Sequence, residues 1–536
     1  MKKRLLSGIA MMLLATAAAQ AGGVLTNTNQ SVNFLRNPAR DAAIGIDGVY
    51  FNPAGVAFMS PGLHLGLGIQ NVHQTRSVTT TFQPFAFGLQ NGGQTTKQFK
   101  GKADAPVLPN LHAAYNTSHW SFQFGFGVIG GGGKCKFEQG LPSFESTVAM
   151  LPVLSQNLDV LSTQLGMGPL GLPRVEQYDM ETYMRGRQYY YGFTWGSAYK
   201  ANDHWSFYAG LRMLYGRANY YGYVRNMQGS IGGHTFPASD TFKQQAYETF
   251  EAAGQAEQAG QTQAAQKATL AGTMLAAFGQ ATEDVTLNCN QDGWGVAPIL
   301  GVDFRTGAFN FAAKYEFKTR MRLGNESANS ASAKNLAMLD RYADEKSIPE
   351  DSPALLTLGA QWSIIPQLRL NAGWHHYFDK DGHMYDNHQN KLKHDTNEWL
   401  LGVEYDLSRV VELSAGGQLT RYGFTDDYME DLSFNVNSYS FGLGVGIRLS
   451  DKVKLNAAYF RTNYETYNRT TNNYNHLTAM AGNIVGGVVQ NIADPATAQQ
   501  AVQTTSNTLL QSGILNGKDS FTRTNRVIGL GVELSF

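Results

Sequence analysis

Tyr439-Ser440-Phe441-Gly442-Leu443-Gly444-Val445-Gly446-Ile447-Arg448-Leu449 is the stretch that decides how this chain is read. Bulky apolar side chains take every odd position, and Ser, Gly and Arg take the even ones. Successive side chains on a strand point to opposite faces, so one face of this segment meets lipid and the other a polar lumen. Runs of this kind recur along the chain, separated alternately by short polar turns and long polar loops, and the last ends at Phe536. A membrane β-barrel is written in this way.

Composition agrees with that reading. Of 536 residues only 16% are charged and 12% aromatic, and Gly numbers 58; mean hydropathy is −0.29. After the first twenty residues no window approaches the length of apolar chain that a spanning helix needs, and the apolar content is dispersed at period two. A closed sheet is the other backbone that satisfies its hydrogen bonds in lipid. The 42 bases and 42 acids balance, and without Lys2, Lys3 and Arg4 acids exceed bases by three, so nothing recruits nucleic acid.

Those three bases precede an apolar stretch from Leu5 to Ala19, and Ala19-Gln20-Ala21 offers small residues where a signal peptidase cuts. This predicts a signal peptide over 1–21, a mature chain from Gly22, and the bacterial outer membrane as destination. A terminal aromatic on the last strand resembles the assembly signal of such barrels, making the barrel-assembly machinery an expected partner through Phe536. The competing reading is a secreted soluble β-protein.

The expected fold is all-β: a transmembrane antiparallel barrel of about 14 strands spanning residues 61–536. The strands are expected near 62–75, 104–117, 119–133, 185–201, 203–226, 285–305, 308–323, 353–365, 367–379, 395–407, 410–423, 435–449, 452–467 and 521–536. Asn116-Thr117-Ser118, Ala201-Asn202-Asp203, Arg305-Thr306-Gly307, Ile365-Pro366, Asp406-Leu407-Ser408 and Ser450-Asp451 read as short turns. All other connections are long, which is the periplasmic and extracellular asymmetry of outer-membrane barrels. Residues 143–166, 240–282 and 477–513 lose the period of two, gain Ala, Gln, Leu and Met, and read as helices capping the barrel, with low-complexity disorder the alternative for 250–268.

Residues 22–60 show no sustained alternation and contain Asn37-Pro38-Ala39 and Asn52-Pro53-Ala54-Gly55. Pro cannot donate to a ladder, so this segment is poor strand material, and lying ahead of a barrel it can fold back as a luminal plug. Here the chain resembles the FadL/TodX outer-membrane transporters of long-chain fatty acids and other hydrophobic compounds. Asp41 to Gly48, then Asn52-Pro53-Ala54-Gly55, Pro61 and the strand from Gly62 look like the N-terminal hatch of that family, which leads directly into the first of fourteen strands.

The resemblance implies passive uptake without catalysis or cofactor, by a monomer that takes up a hydrophobic small molecule and releases it into the outer-membrane lipid. Ligand is captured by the loops, bound in the lumen, and released sideways through a gap made by an inward kink of the third strand. Lateral exit keeps an acyl chain out of water, at about 0.8 kcal/mol for each CH₂. Gly130, Gly131 and Gly132 follow Phe122, Phe124, Phe126 and Val128 and are the candidate kink, tolerant of bends and bulges; the alternative is a flexible strand end. The pattern Gly125-x-Gly127-x-x-Gly130 matches a dinucleotide fingerprint by accident, since no helix begins there.

On the seventh strand Lys314, Glu316, Lys318, Arg320 and Arg322 are expected to share the luminal face, and Arg212 and Arg369 face inward on the fifth and ninth. A carboxylate head group needs a base beside an apolar slot. Arg320 and Arg322 lead the candidates, with Lys318 and Arg212; the alternative is that these bases pair with Glu316, Glu404, Asp406 and Glu412. His375, His376, His383, His388 and His394 crowd the ninth strand and its loop without recognised ligand spacing, so no metal is expected there. Cys135 and Cys289, the only cysteines, fall near the extracellular rim, where a disulfide is possible. Neither a Gly-x-Ser-x-Gly elbow nor a His-Glu-x-x-His motif occurs, and no enzyme is expected. The rival functions are a general diffusion porin, which a plug opposes, and a surface receptor or adhesin using the long loops.

Overall fold

The short turns close antiparallel hairpins into a barrel of fourteen staves in the computed structural model, which describes residues 26–164, 166–334, 337–489 and 494–536. The region expected to be a signal peptide, 1–21, lies outside the described residues. In chain order the staves are β1 (Gly62–Phe82), β2 (Thr96–Asn116), β3 (Trp120–Phe137), β4 (Gln177–Lys200), β5 (Trp205–Ile231) and β6 (Val285–Thr306). Next comes β7, in two pieces (Phe309–Glu316 and Arg322–Ser327), and β8, also in two (Ser347–Pro349 and Leu355–Ile365). Then follow β9 (Leu368–Tyr377), β10 (Thr396–Asp406), β11 (Val411–Arg421), β12 (Ser438–Ser450), β13 (Val453–Tyr464 and Tyr467–Thr471) and β14 (Gly517–Ser535).

Pairing of β14 with β1, from His64 opposite Ser535 to Phe82 opposite Gly517, removes every edge. Phe536 completes the seam: its N–H donates to the Leu63 carbonyl at 2.9 Å, and the Leu63 N–H donates to the Phe536 carbonyl at 3.1 Å. All six expected turns lie at the same end as this seam. Outward positions carry the lipid-facing side chains, among them Leu67, Phe122, Leu211, Leu401, Leu443 and Leu530, all exposed. Trp120, Tyr199, Trp205 and Phe304 form an aromatic girdle near the turns, with Trp205 and Phe304 centred 4.4 Å apart. This architecture is that of a bacterial outer-membrane protein, with the turns on the periplasmic side.

The loops at the far end are helical where the period of two is lost. They carry α2 (Pro142–Val148), α3 (Met150–Gln164), α4 (Ala238–Gln258), α5 (Thr262–Ala281), α6 (Ala331–Lys334), α7 (Leu477–Val489) and α8 (Pro495–Gln511), after α1 (Val32–Arg36) in the N-terminal segment. The Gln- and Ala-rich stretch 250–268 is thus helical on either side of a turn at 259–261. One apolar cluster runs under these loops and includes Phe82, Phe137, Phe144, Met274, Phe278, Leu477 and Val485. Several staves run beyond the expected boundaries at this end: β1 continues to Phe82, β3 to Phe137, and β4 begins at Gln177.

Residues 26–60 fill the lumen. The Ser31 side chain caps α1 by accepting from the Phe34 N–H at 2.9 Å, and Phe34 stacks on Phe51 at 5.5 Å. The luminal glycines have a packing reason as well as a polar one. A Cβ on Gly402 would lie 1.7 Å from Asn37 Oδ1, one on Gly442 2.1 Å from the Leu35 carbonyl, and one on Gly373 2.2 Å from Asp41 Oδ2. The plug backbone lies in a bed that only glycine leaves open.

Candidate functional site

The lumen is held together by ion pairs between plug and wall. Arg36 pairs with Glu412 and donates to Ser414 Oγ at 2.8 Å. Arg40 lies 2.9 Å from Asp47 and 2.5 Å from Glu404. His375 sits between Asp41 at 2.9 Å and Glu398 at 3.0 Å. Asn52 donates to Asp303 Oδ2 at 2.5 Å, and its own Oδ1 accepts from the Gly55 N–H at 3.1 Å. Pro53 and Ala54 offer carbonyls to Gln123 and Ser206. The second Asn-Pro-Ala triplet is therefore an anchoring turn of the plug; in the first, Asn37 Oδ1 accepts from the Ala39 N–H at 3.1 Å.

The bases expected to receive a ligand are distributed differently. Arg212 is buried with its Nη1 at 2.5 Å from Glu316 and its guanidinium over the Tyr50 ring at 4.7 Å, and Lys314 donates to the Tyr50 carbonyl at 2.7 Å. Arg369 pairs with Glu404, Asp406 and Glu412. These bases hold the plug and wall together, the alternative the sequence left open.

Arg320 and Arg322 do not face the lumen. Ile299 opposes Glu316 and Asp292 opposes Gly324, so eight residues along β7 match seven along β6. The extra residue moves following side chains to the other face: Met321 and Leu323 turn inward, and Arg320 and Arg322 are exposed. Lys318, at the break, donates to the Asp381 carbonyl at 2.7 Å.

Two arginines that sequence reasoning passed over occupy the luminal cavity. Arg76 on β1 and Arg523 on β14 are directly opposite each other across the barrel seam, and both are buried. Arg76 donates to the Leu432 carbonyl at 3.5 Å; Arg523 donates to the Phe434 carbonyl at 3.2 Å and to Gln74 Oε1 at 3.3 Å. Neither has a carboxylate within ion-pair distance among the described residues, and the Nε of each lacks a partner. They line a cavity of about 130 Å³ with Phe34, Val72, Phe460 and Val527 as apolar surface. Glu398, also on the lining, is already engaged by His375, Tyr377, Gln418 and Thr420. Part of the signal was available: Arg523 falls on an inward position of the expected last stave and barrel closure makes the first and last staves neighbours, whereas Arg76 lies one residue past the expected end of the first stave, which runs to Phe82.

The same cavity reaches a break in the wall. The β2–β3 ladder stops between Asp104 opposite Lys134 and Leu111 opposite Phe126. On β2 this interval holds Pro106 and Pro109, which have no N–H to give a neighbour. On β3 it holds the glycine run, with bulges between Val128 and Gly130 and between Gly131 and Gly133. Val128, Ile129 and Gly130 are buried in succession, so the alternation is lost, and Gly131 has φ +68°. The plug replaces the missing neighbour: the Asn27 N–H donates to the Ile129 carbonyl at 2.5 Å, Asn27 Nδ2 to Gly131 at 2.7 Å, and Gln30 Nε2 to Val128 at 2.8 Å. Leu108 on one side of the break and Gly131 and Gly133 on the other all line the cavity. The glycines lie inside β3, which continues to Phe137, and not at a strand end. In the dinucleotide-like pattern, Gly125 and Gly127 face Val49 and Gln30 of the plug.

The thiols do not form a disulfide. Cys135 lies on β3 opposite Gly186 and Cys289 on β6 opposite Tyr220, both free and buried, with β4 and β5 between them. Cys289 lies on the wall within its expected stave, and the extension of β3 past its expected end puts Cys135 on the wall as well, with two staves intervening. Of the histidines, His376 Nδ1 donates to Asn397 Oδ1 at 3.0 Å and His388 Nε2 donates to the Tyr428 carbonyl at 3.2 Å. Among the described residues no group of three or more His, Cys, Asp or Glu is arranged to hold a metal.

Fold and site together define a plugged outer-membrane β-barrel with a break in its wall. Its architecture is FadL-like. A family profile described as outer membrane protein beta-barrel domain matches residues 308–484. The crystal structure of a Pseudomonas aeruginosa FadL homologue superimposes with TM-score 0.57 at 12% identity, covering 97% of this chain and 100% of that one. The toluene transporter TodX of P. putida gives 0.48 at 13% identity, over 92% and 94% of the two chains. No curated protein matches the sequence.

Proposed function

We propose that this barrel is a passive transporter for hydrophobic molecules bearing an acidic group, such as fatty acids. The observation that carries the proposal is the pair of buried arginines without acid partners in a cavity that borders the wall break. A cation removed from water is costly unless an anion compensates it, and here the anion is the ligand's head group. The FadL-type fold and the resemblance of the hatch sequence support the same reading.

A cavity of about 130 Å³ is close to the roughly 150 Å³ that accepts benzene in an engineered protein core. With the plug seated it holds a head group and a ring or a few methylenes; a longer chain extends along the break between β2 and β3. The apolar loop cluster captures the ligand, displacement of Asn27 to Gln30 from the β3 carbonyls opens the break, and the tail leaves into lipid. The transporter acts as a monomer, with Phe536 as the recognition element for barrel assembly.

The test compares uptake of a labelled long-chain fatty acid into proteoliposomes with single-channel conductance in a planar bilayer. Saturable uptake with little steady conductance is expected, and Arg76→Gln with Arg523→Gln should weaken fatty-acid binding about tenfold or more, the loss of a charge-assisted hydrogen bond. A large open conductance without fatty-acid uptake would identify a diffusion porin instead.

A further inference from the structure

The outer wall of β2 to β5, just above the lipid-facing band, carries a cluster of cations. Lys100 and Lys102 on β2, Lys134 and Lys136 on β3, Arg185 and Arg187 on β4, and Arg217 on β5 all occupy outward register positions. Immediately below them, on the same face, lie Tyr189 and Tyr191 of β4, stacked at 5.8 Å, with Tyr215 of β5 opposite Tyr191 and the exposed Trp294 of β6 opposite Tyr215. Aromatic residues of this kind mark the level of the lipid head groups. The short turns lie at the other end of the barrel, so these are head groups of the outer leaflet.

Cross-strand register sets like charges against each other. Lys102 is opposite Lys136, Lys136 is opposite Arg185, and Lys134 is opposite Arg187. Such pairs are destabilising. The nearby acids do not resolve this: Asp104 stands opposite Lys134 but is paired with His73, Asp292 stands opposite Arg217 without an ion pair among the described residues, Glu181 is paired with Arg225 and Glu138 flanks the cluster, so Lys102, Lys136, Arg185 and Arg187 have no acid opposite them. None of the seven cations is in an ion pair among the described residues. Arg185 donates to Asn219 Oδ1 at 2.7 Å and lies over the Tyr221 ring at 5.3 Å, which fixes its guanidinium at the surface while its Nε stays unpartnered. Four adjacent strands span about 15 Å and each row lies about 7 Å from the next, room for more than one phosphate.

We infer that this face binds the phosphorylated head group of lipopolysaccharide in the outer leaflet. Arg and Lys supply charge-assisted hydrogen bonds to phosphate oxygens, the aromatic band below packs on the lipid's acyl chains, and the lipid's negative charge relieves the repulsion built into the ladder. The site sits directly above the interrupted part of the β2–β3 ladder, so the bound lipid borders that break.

The experiment measures binding of fluorescent diphosphoryl lipid A to the full barrel in detergent micelles by anisotropy. Dephosphorylated lipid A and inorganic phosphate serve as competitors, and the variant is Lys134→Gln, Lys136→Gln, Arg185→Gln and Arg187→Gln combined. Diphosphoryl lipid A should bind at least about tenfold more tightly than the dephosphorylated form, weaken with added salt, and lose about tenfold or more in the variant. Lys391→Gln with Lys393→Gln, on an extracellular loop away from this face, should leave binding unchanged. Equal binding of the two lipids, equal binding by a variant whose folding is verified by heat-modifiable gel mobility, or displacement by inorganic phosphate at matched phosphate concentration would each overturn the assignment. The two-lipid comparison uses the unaltered protein and decides the question even if the variant does not fold.

Discussion

Arg76 and Arg523 show how a single side chain acquires meaning from its partners. Many luminal bases exist, but Arg36, Arg40, Arg212 and Arg369 are each matched by carboxylates, and a matched base has little left to offer a ligand. Identity and inward phase can be read from sequence; the matching cannot. Titration in the extracellular loops follows similar logic. Burial pushes the Asp379 carboxyl up to about 8, with Thr396 and the neighbouring Asp395 and Glu398 as smaller influences, and burial pushes Asp431, which accepts from the Ser143 N–H, up to about 6. Both folded values lie above the ordinary carboxyl range, so the packed loops bind more protons than the open ones, and their stability falls as pH rises from about 4 through 6 for Asp431 and through 8 for Asp379. Hydrogen exchange over residues 378–395, corrected for the intrinsic pH effect, should therefore be slower at pH 5 than at pH 8. In Asp379→Asn the part of that difference due to this group should disappear.

At the scale of the element, β3 departs from an ordinary stave because of what stands on both sides of it. Prolines on β2 remove donors, glycines on β3 allow the bulges, and the plug supplies the replacement hydrogen bonds. Gly131 combines φ +68° with a Cβ position 2.1 Å from the Gln188 carbonyl, so a side chain there must move backbone. Gly131→Val is expected to reduce fatty-acid uptake several-fold while the barrel still folds, as judged by gel mobility; normal uptake would separate the break from transport. The sequence singled out this glycine run but stopped the strand too early, because glycine carries no alternation to follow. It named Arg320 and Arg322 on an alternation that one inserted residue reversed. A bulge leaves no mark in the pattern until the partner strand is known.

For the whole molecule, the plug is the element that turns a barrel into a closed container. Its position rests on ion pairs and on the glycine bed of Gly373, Gly402 and Gly442, so it should respond to steric change in the wall. Gly402→Leu places atoms where Asn37 lies and is expected to raise steady single-channel conductance well above that of the unaltered protein. Unchanged conductance would mean that the plug does not limit the path. The phosphate-binding face and the luminal cavity are independent of each other in charge partners, one on the outer wall and one inside, so changes at one need not disturb the other.

Family resemblance implied the luminal placement of the N-terminal segment, while the sequence by itself determined the barrel, its fourteen staves, the six periplasmic turns, the helical loops and that this segment is no stave. These follow from local rules: a period of two, the turn residues, and the inability of proline to join a ladder. Only the tertiary structure decided which bases remain unmatched, where register slips invert a face, that Cys135 and Cys289 stand apart, and that β1 and β14 bring two arginines together. Each of these depends on which residue lies opposite which across a closed sheet, and register between staves is fixed by the summed packing of wall, loops and plug rather than by any one segment.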